Sequence, residues 1–182
     1  MQSDMPTASS AADMVGELVA TLEDTFRDVG VTSERVSEED LMDAIVASVR
    51  EPAVAMPLDE FPVSFENTPI TADPTPAELW EAKSGVTVAA WAIAEYGSLY
   101  LPQAEHGSEL LSLFVEHHVA IVRESSIIRD VSAGFERLET EIPDTRSSGI
   151  IATGPSATAD MGELVKGAHG PASVHVLIVR GE

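Results

Sequence analysis

The chain has 182 residues, 44% of them hydrophobic, which suits one domain of ordinary size with a buried core. Its 31 acidic residues outnumber its 10 Lys and Arg, and the formal net charge of −21 argues against binding to nucleic acid or to an anionic membrane surface. Cysteine is absent, so these residues offer no disulfide, no thiolate nucleophile and no cysteine-held iron–sulfur cluster. The acidic residues are spread along the chain, which favours adaptation to high salt over docking of a basic partner.

The first residues differ in composition from the rest. Residues 1–12 are rich in Ser, Ala and Thr without periodicity, which predicts a disordered lead-in to a single domain at 13–182. The chain holds no run of 18 apolar residues, and its start lacks the basic-then-apolar order of a signal peptide. We therefore expect a cytoplasmic location.

Helical and extended patterns alternate along the chain. An apolar stripe at helical spacing runs from Val15 to Phe26, and Gly30 ends it. Residues 85–94 are almost continuously apolar, as is typical of a strand buried on both faces. The pattern predicts an α/β domain with a mainly parallel central sheet flanked by helices and with ligand sites at the carboxyl ends of its strands. Strands are predicted at 31–36, 53–58, near Ile70, at 99–101, 119–122 and 174–179, and helices at 37–49, 75–83, 110–115 and 127–139.

The segment at 148–171, SGIIATGPSATADMGELVKGAHGP, predicts a strand, a turn and a helix. Ile150 and Ile151 begin the strand, and Asp160 would cap the helix with Glu163 three residues on. Backbone N–H groups at such a helix start, beside the hydroxyls at 156 and 158, are typical of an anion or phosphate cradle. A plain structural turn is the alternative, because the segment matches neither the Walker A spacing nor GxGxxG.

His169 is the candidate histidine for acid–base work or ligand contact, since the turn around it would let its imidazole reach the crevice of the same loop. The alternative is a turn histidine that bonds nearby carbonyls. His117 and His118 are adjacent and should point to different sides of their element, so they would not chelate together. With no HxxxH or HExxH pair in the chain, we expect no metal site.

Glu95 follows the apolar run and precedes Gly97, which predicts a carboxylate at a strand end where a ligand approaches the backbone closely. Such a carboxylate would act as nucleophile or general base. The alternative is a surface glutamate in a hairpin turn. The candidate catalytic residues are Glu95 and His169, and the candidate ligand- or anion-binding residues are Gly97, Ser98, Thr153, Gly154, Pro155, Ser156, Thr158, Asp160 and Gly170.

Three segments in one order carry a family resemblance: GVTVAAWAIAEYGSLYL at 85–101, ATGPSATAD at 152–160 and GAHGPASVHVLIV at 167–179. Together they resemble the LUD domain family, of the lactate utilization protein C (LutC/YkgG) type. Before residue 85 the agreement is limited to the rhythm of helices and strands. The family usually has ETG where residues 95–97 are EYG, and DIE where residues 160–162 are DMG. The matching positions are Glu95, Gly97, Gly154, Pro155, Ser156, Thr158, Asp160, His169, Gly170 and Pro171.

The resemblance implies a fold like that of the NagB/RpiA/CoA-transferase group and a role in oxidising L-lactate to pyruvate with iron–sulfur partner proteins of the LutA/LutB type. The absence of cysteine agrees with the cluster-free member of such a set, so clusters are expected in the partners and no cofactor in this chain. Two other hypotheses stay open. One is a stand-alone acyl-, CoA- or phosphate-ester enzyme that uses Glu95, and the other is a module that binds an organic acid or another anionic ligand.

Overall fold

A six-stranded sheet, parallel at every neighbouring pair, forms the centre of the molecule. The computed structural model describes residues 10–103, 108–141, 148–158 and 165–181. The prediction of an α/β domain with a mainly parallel central sheet is confirmed. In spatial order the strands, labelled along the chain, are β1 (Thr32–Val36), β12 (Ser173–Val179), β7 (His117–Arg123), β4 (Ser84–Val88), β2 (Ala53–Ala55) and β3 (Ile70–Ala72).

Helices cover both faces of this sheet, because alternate residues of its strands are apolar on each side. On β7, Ala120 and Val122 share one core cluster with Phe26, whereas Val119 and Ile121 share another with Leu41 and its neighbours. In the described ranges no helix is long and apolar enough to cross a membrane. The helices are α1 (Ala11–Asp28), α2 (Leu41–Ser48), α3 (Pro76–Glu81), α4 (Ser108–Phe114) and α5 (Val131–Glu141).

Helix α1 begins with a capping box. The Asp13 N–H donates to Ser10 Oγ at 3.2 Å, and the Ser10 N–H donates to the Asp13 carboxylate at 3.0 Å. Helix α1 therefore starts within residues 1–12, the segment expected to be a lead-in, of which 1–9 lie outside the described residues. Its buried stripe of Val19, Leu22 and Phe26 packs on the sheet.

A second sheet of four strands packs beside the first, in the order β8 (Ile127–Ile128), β5 (Trp91–Ile93), β6 (Ser98–Pro102) and β9 (Gly149–Thr153). The apolar run at 85–94 was predicted as one strand and is two, β4 and β5, in different sheets. The Ala89 N–H donates to the Ile121 carbonyl of β7 at 2.8 Å, and the next N–H, of Ala90, donates to the Tyr100 carbonyl of β6 at 3.0 Å. The chain thus changes sheet between two consecutive residues.

The helix predicted at 127–139 is wrong at its start. A 3₁₀ turn, Glu124–Ser126, leads into β8, where Ile127 and Ile128 pair in parallel with Ala92 and Ile93 of β5. Two consecutive β-branched residues favour this extended pairing. The helix starts later, where Asp130 Oδ1 accepts the Ala133 N–H at 2.9 Å.

The prediction of a helix after the loop at 154–158 is also wrong for the part of that segment which the structure describes. Ala157–Thr158 (β10) pairs antiparallel with Val165–Lys166 (β11), so both sides of residues 159–164 are extended. The β-branched side chains of Thr158 and Val165 face one another in this ladder, an arrangement that such residues favour. Asp160 and Glu163, the predicted capping pair, lie outside the described residues.

Candidate functional site

The loop after β9 and the loop before β12 are joined by backbone hydrogen bonds. The Ser156 N–H donates to the Pro171 carbonyl at 2.9 Å, and the Gly167 N–H donates to the Ser156 carbonyl at 2.9 Å. Residues 154–157 and 169–171, separated in sequence, therefore form one wall of a cavity of about 380 Å³. His169, Gly170 and Ser156 all line it.

Two glycines allow this close packing. Gly154 has a φ of +66°, and a Cβ there would lie 2.8 Å from the Val29 carbonyl oxygen at the end of α1. A Cβ at Gly170 would lie 3.1 Å from the Cβ of Ser156. Glycine at these positions lets the two loops approach α1 and each other, which closes the cavity wall.

The cavity lies at the amino ends of the parallel strands, because Pro171 and Val174 stand at the start of β12 and His118 at the start of β7. The sequence predicted ligand sites at the carboxyl ends. The loop does follow the carboxyl end of β9, but β9 belongs to the second sheet, where it runs antiparallel to β6. The end of β9 therefore does not coincide with the carboxyl ends of the central sheet.

Most of the predicted ligand-binding residues come together here. Ser98 Oγ and Thr153 Oγ1 are 2.7 Å apart across the β6–β9 pair, within hydrogen-bond distance. Ser98 itself and Thr158, in β10, are not among the lining residues, and Asp160 lies outside the described ones. The predicted residues that line the cavity are Gly97, Thr153, Gly154, Pro155, Ser156, His169 and Gly170.

Glu95 does not share this cavity. It is exposed in the turn between β5 and β6, as in the surface-turn alternative, and lines a separate hollow with Glu17 of α1 and with Arg129 and Asp130. A hydrogen bond fixes the turn to α1, because Thr25 Oγ1 of that helix donates to the Ala94 carbonyl at 2.8 Å. Glu95 and Gly97, two residues apart, therefore line different cavities.

His118 lines the cavity and was not among the predicted site residues. Its side chain is 2% exposed, and Nε2 is 2.8 Å from Thr87 Oγ1 on β4. Burial, with a smaller contribution from the neighbouring His117, lowers the pKa of His118 to about 4, so the imidazole is neutral near pH 7. The sequence places His118 immediately before the apolar run Val119–Val122, and a histidine beginning such a buried strand is the signal that could have found it.

His117 faces the opposite side of β7, as predicted for adjacent histidines. Its Nδ1 is 2.8 Å from Ser173 Oγ and its Nε2 is 3.1 Å from the Ser48 carbonyl oxygen. Burial, then the nearby Arg50, lowers the pKa of His117. With both ring nitrogens engaged, His117 has a structural role.

The charges around the cavity are unusual for an anion site. Among the described lining residues there is no Lys or Arg, and its titratable side chains are His118 and the exposed His169. The backbone N–H of Ser156 is already used, because it donates to the Pro171 carbonyl. No cluster of three His, Asp or Glu side chains suited to a metal ion occurs in the part of the chain that the structure describes.

The fold and this site define an α/β protein with a ligand-sized cavity at the amino edge of its parallel sheet. The family model of the LUD domain matches residues 7–179, and the chain belongs to this family. The resemblance inferred from the three sequence motifs is thereby confirmed.

Two curated relatives and one solved structure show how far the similarity reaches. Lactate utilization protein C of Deinococcus radiodurans is 30% identical over an alignment of 178 residues. The alignment covers 90% of this chain and 80% of that protein. A protein of Escherichia coli named YkgG is 36% identical over 104 residues, 54% of this chain and 45% of that one. The crystal structure of a DUF162 family protein from Deinococcus radiodurans superposes with a TM-score of 0.68 at 25% identity, covering 91% of this chain and 98% of the other.

Proposed function

We propose that this chain is the cluster-free component of an L-lactate utilization system, in which it works with iron–sulfur partner proteins that oxidise lactate to pyruvate. The observation that carries the proposal is the similarity to a relative named lactate utilization protein C across 90% of this chain. The 182 residues contain no cysteine to hold a cluster, so the electron-carrying clusters are assigned to the partners.

The cavity between the β9 and β12 loops is the ligand site within this proposal. His169 and Ser156 line it from the two joined loops, and Gly97 lines it from the β5–β6 turn. This convergence of three segments distant in sequence supports a binding site over a plain turn.

A stand-alone enzyme that pairs Glu95 with the loop at 156–160 is not favoured. Glu95 is exposed and lines a different hollow from Ser156 and His169, so the two groups do not face one substrate. Replacement of Glu95 by glutamine tests the catalytic role expected from the sequence, and the function proposed here predicts that this replacement has little effect.

Two experiments test the proposed function. Deletion of the gene in its host should abolish growth on L-lactate and leave growth on pyruvate intact. In vitro, the purified chain should not reduce an artificial electron acceptor with L-lactate, whereas the chain copurified with its iron–sulfur partners should do so. Normal growth of the deletion strain on lactate, or rapid turnover by the isolated chain, would contradict the proposal.

A further inference from the structure

We propose that the cavity binds an uncharged, largely apolar small molecule, and that His118 hydrogen-bonds a carbonyl or hydroxyl oxygen of that ligand. The proposal concerns the chemistry of the cavity and holds whether or not the chain serves in lactate utilization. It rests on the walls of the cavity, on the charges around it, and on one buried polar atom.

The walls combine apolar side chains with hydroxyls and two histidines, and the space exceeds what a three-carbon acid would fill. A volume of about 380 Å³ lies within the range of pockets that enclose drug-sized ligands, roughly 300–1,000 Å³. Burial of apolar ligand surface would supply most of the affinity. The apolar side chains around it include Phe26, Val31, Leu99, Leu113, Ile150 and Val174.

The surrounding charges disfavour an anion. No Lys or Arg is found among the described lining residues. Within the described lining, a carboxylate or phosphate would find no Lys or Arg as a counter-cation, and moving an unpaired charge out of water costs far more than moving a neutral oxygen.

His118 supplies the polar contact that fixes a neutral ligand. Its Nε2 is engaged by Thr87 Oγ1, a side chain 1% exposed that does not line the cavity. Nδ1 has no hydrogen-bond partner among the described residues, although the ring is 2% exposed and lines the cavity. Buried polar atoms in folded proteins are normally paired, so we place the oxygen of the ligand at this unpaired nitrogen of a ring that lines the cavity.

Thr87 is a positioning residue in this arrangement. The hydroxyl, 2.8 Å from Nε2, holds the orientation of the ring. Either tautomer leaves Nδ1 able to form one hydrogen bond, as donor to a carbonyl or as acceptor from a hydroxyl.

The test uses three compounds of nearly the same shape: acetophenone, ethylbenzene, which lacks the oxygen, and benzoate, in which a charged oxygen replaces the methyl group. Binding to the full chain is followed by ¹H–¹⁵N NMR through the backbone amides of Gly97, Gly154 and Gly170, which line the cavity. We expect acetophenone to bind about tenfold more tightly than ethylbenzene, the value of one hydrogen bond, and benzoate to bind most weakly.

A pair of variants then assigns the oxygen contact. His118→Leu should bring the acetophenone-to-ethylbenzene ratio close to one, while His117→Leu, the matched histidine on the opposite face of β7, should leave the ratio unchanged. If either variant fails to fold, the imidazole ¹⁵N signals of His118 in the native chain serve instead. They should shift with acetophenone and stay in place with ethylbenzene.

Three results would overturn the inference. One is tighter binding of benzoate, L-lactate or pyruvate than of acetophenone at the three glycine amides. Another is an acetophenone-to-ethylbenzene ratio that His118→Leu leaves unchanged, or His118 imidazole signals that do not shift with acetophenone. The third is the absence of any shift at those amides with saturating acetophenone.

Discussion

His118 should make the free energy of unfolding depend on pH, and the substitution His118→Leu should remove this contribution. The folded protein holds this imidazole neutral, with a pKa lowered from 6.5 to about 4, whereas the unfolded chain protonates it normally. Between these two values the unfolded state binds more protons, so stability falls as the pH is lowered from about 6.5 to about 4. At about 1.4 kcal/mol per pKa unit, the full loss is about 3 kcal/mol.

His118→Leu removes this proton uptake and replaces the ring with an apolar side chain of similar size. We expect the native chain to lose about 2–3 kcal/mol more than the variant between about pH 7.5 and pH 4.5. His117 and His175, whose pKa values are also lowered mainly by burial, remain in both proteins and cancel in the comparison. Urea unfolding at fixed ionic strength measures the difference, and parallel stability curves for the two proteins would refute a buried neutral His118.

Three further predictions use other described contacts. Gly154→Ala should destabilise by roughly 1–3 kcal/mol in urea unfolding, because of its positive φ and the nearby Val29 carbonyl, whereas Gly16→Ala, with open space and a helical backbone, should stabilise by up to about 1 kcal/mol. Glu95→Gln should leave lactate-dependent growth and the melting temperature nearly unchanged, and loss of growth would show that the second hollow has a function. Trp91→Ala should cost about 3–5 kcal/mol, since the buried indole stacks on Tyr100 at 4.6 Å; a smaller loss in thermal unfolding would contradict this packing.

The sequence alone was sufficient for the parts of the fold that depend on neighbouring residues. The apolar stripe that ends before Gly30 located α1, and the run at 174–179 located β12, because helical and strand periodicities are set within a few residues. The GPSATAD and HGP segments likewise identified the family and the two loops that form one wall of the cavity.

Tertiary structure decided which strands pair and which side chains share a cavity. Consecutive residues Ala89 and Ala90 pair with different sheets. Their hydrogen-bond partners, Ile121 of β7 and Tyr100 of β6, decide this, because the two alanine side chains are identical. Glu95 and Gly97 are two residues apart, yet the position of α1 across the turn puts them in separate cavities. His118 gained its importance only when β4 and the two loops enclosed it, because burial and hydrogen-bond pairing are properties of the assembled neighbourhood.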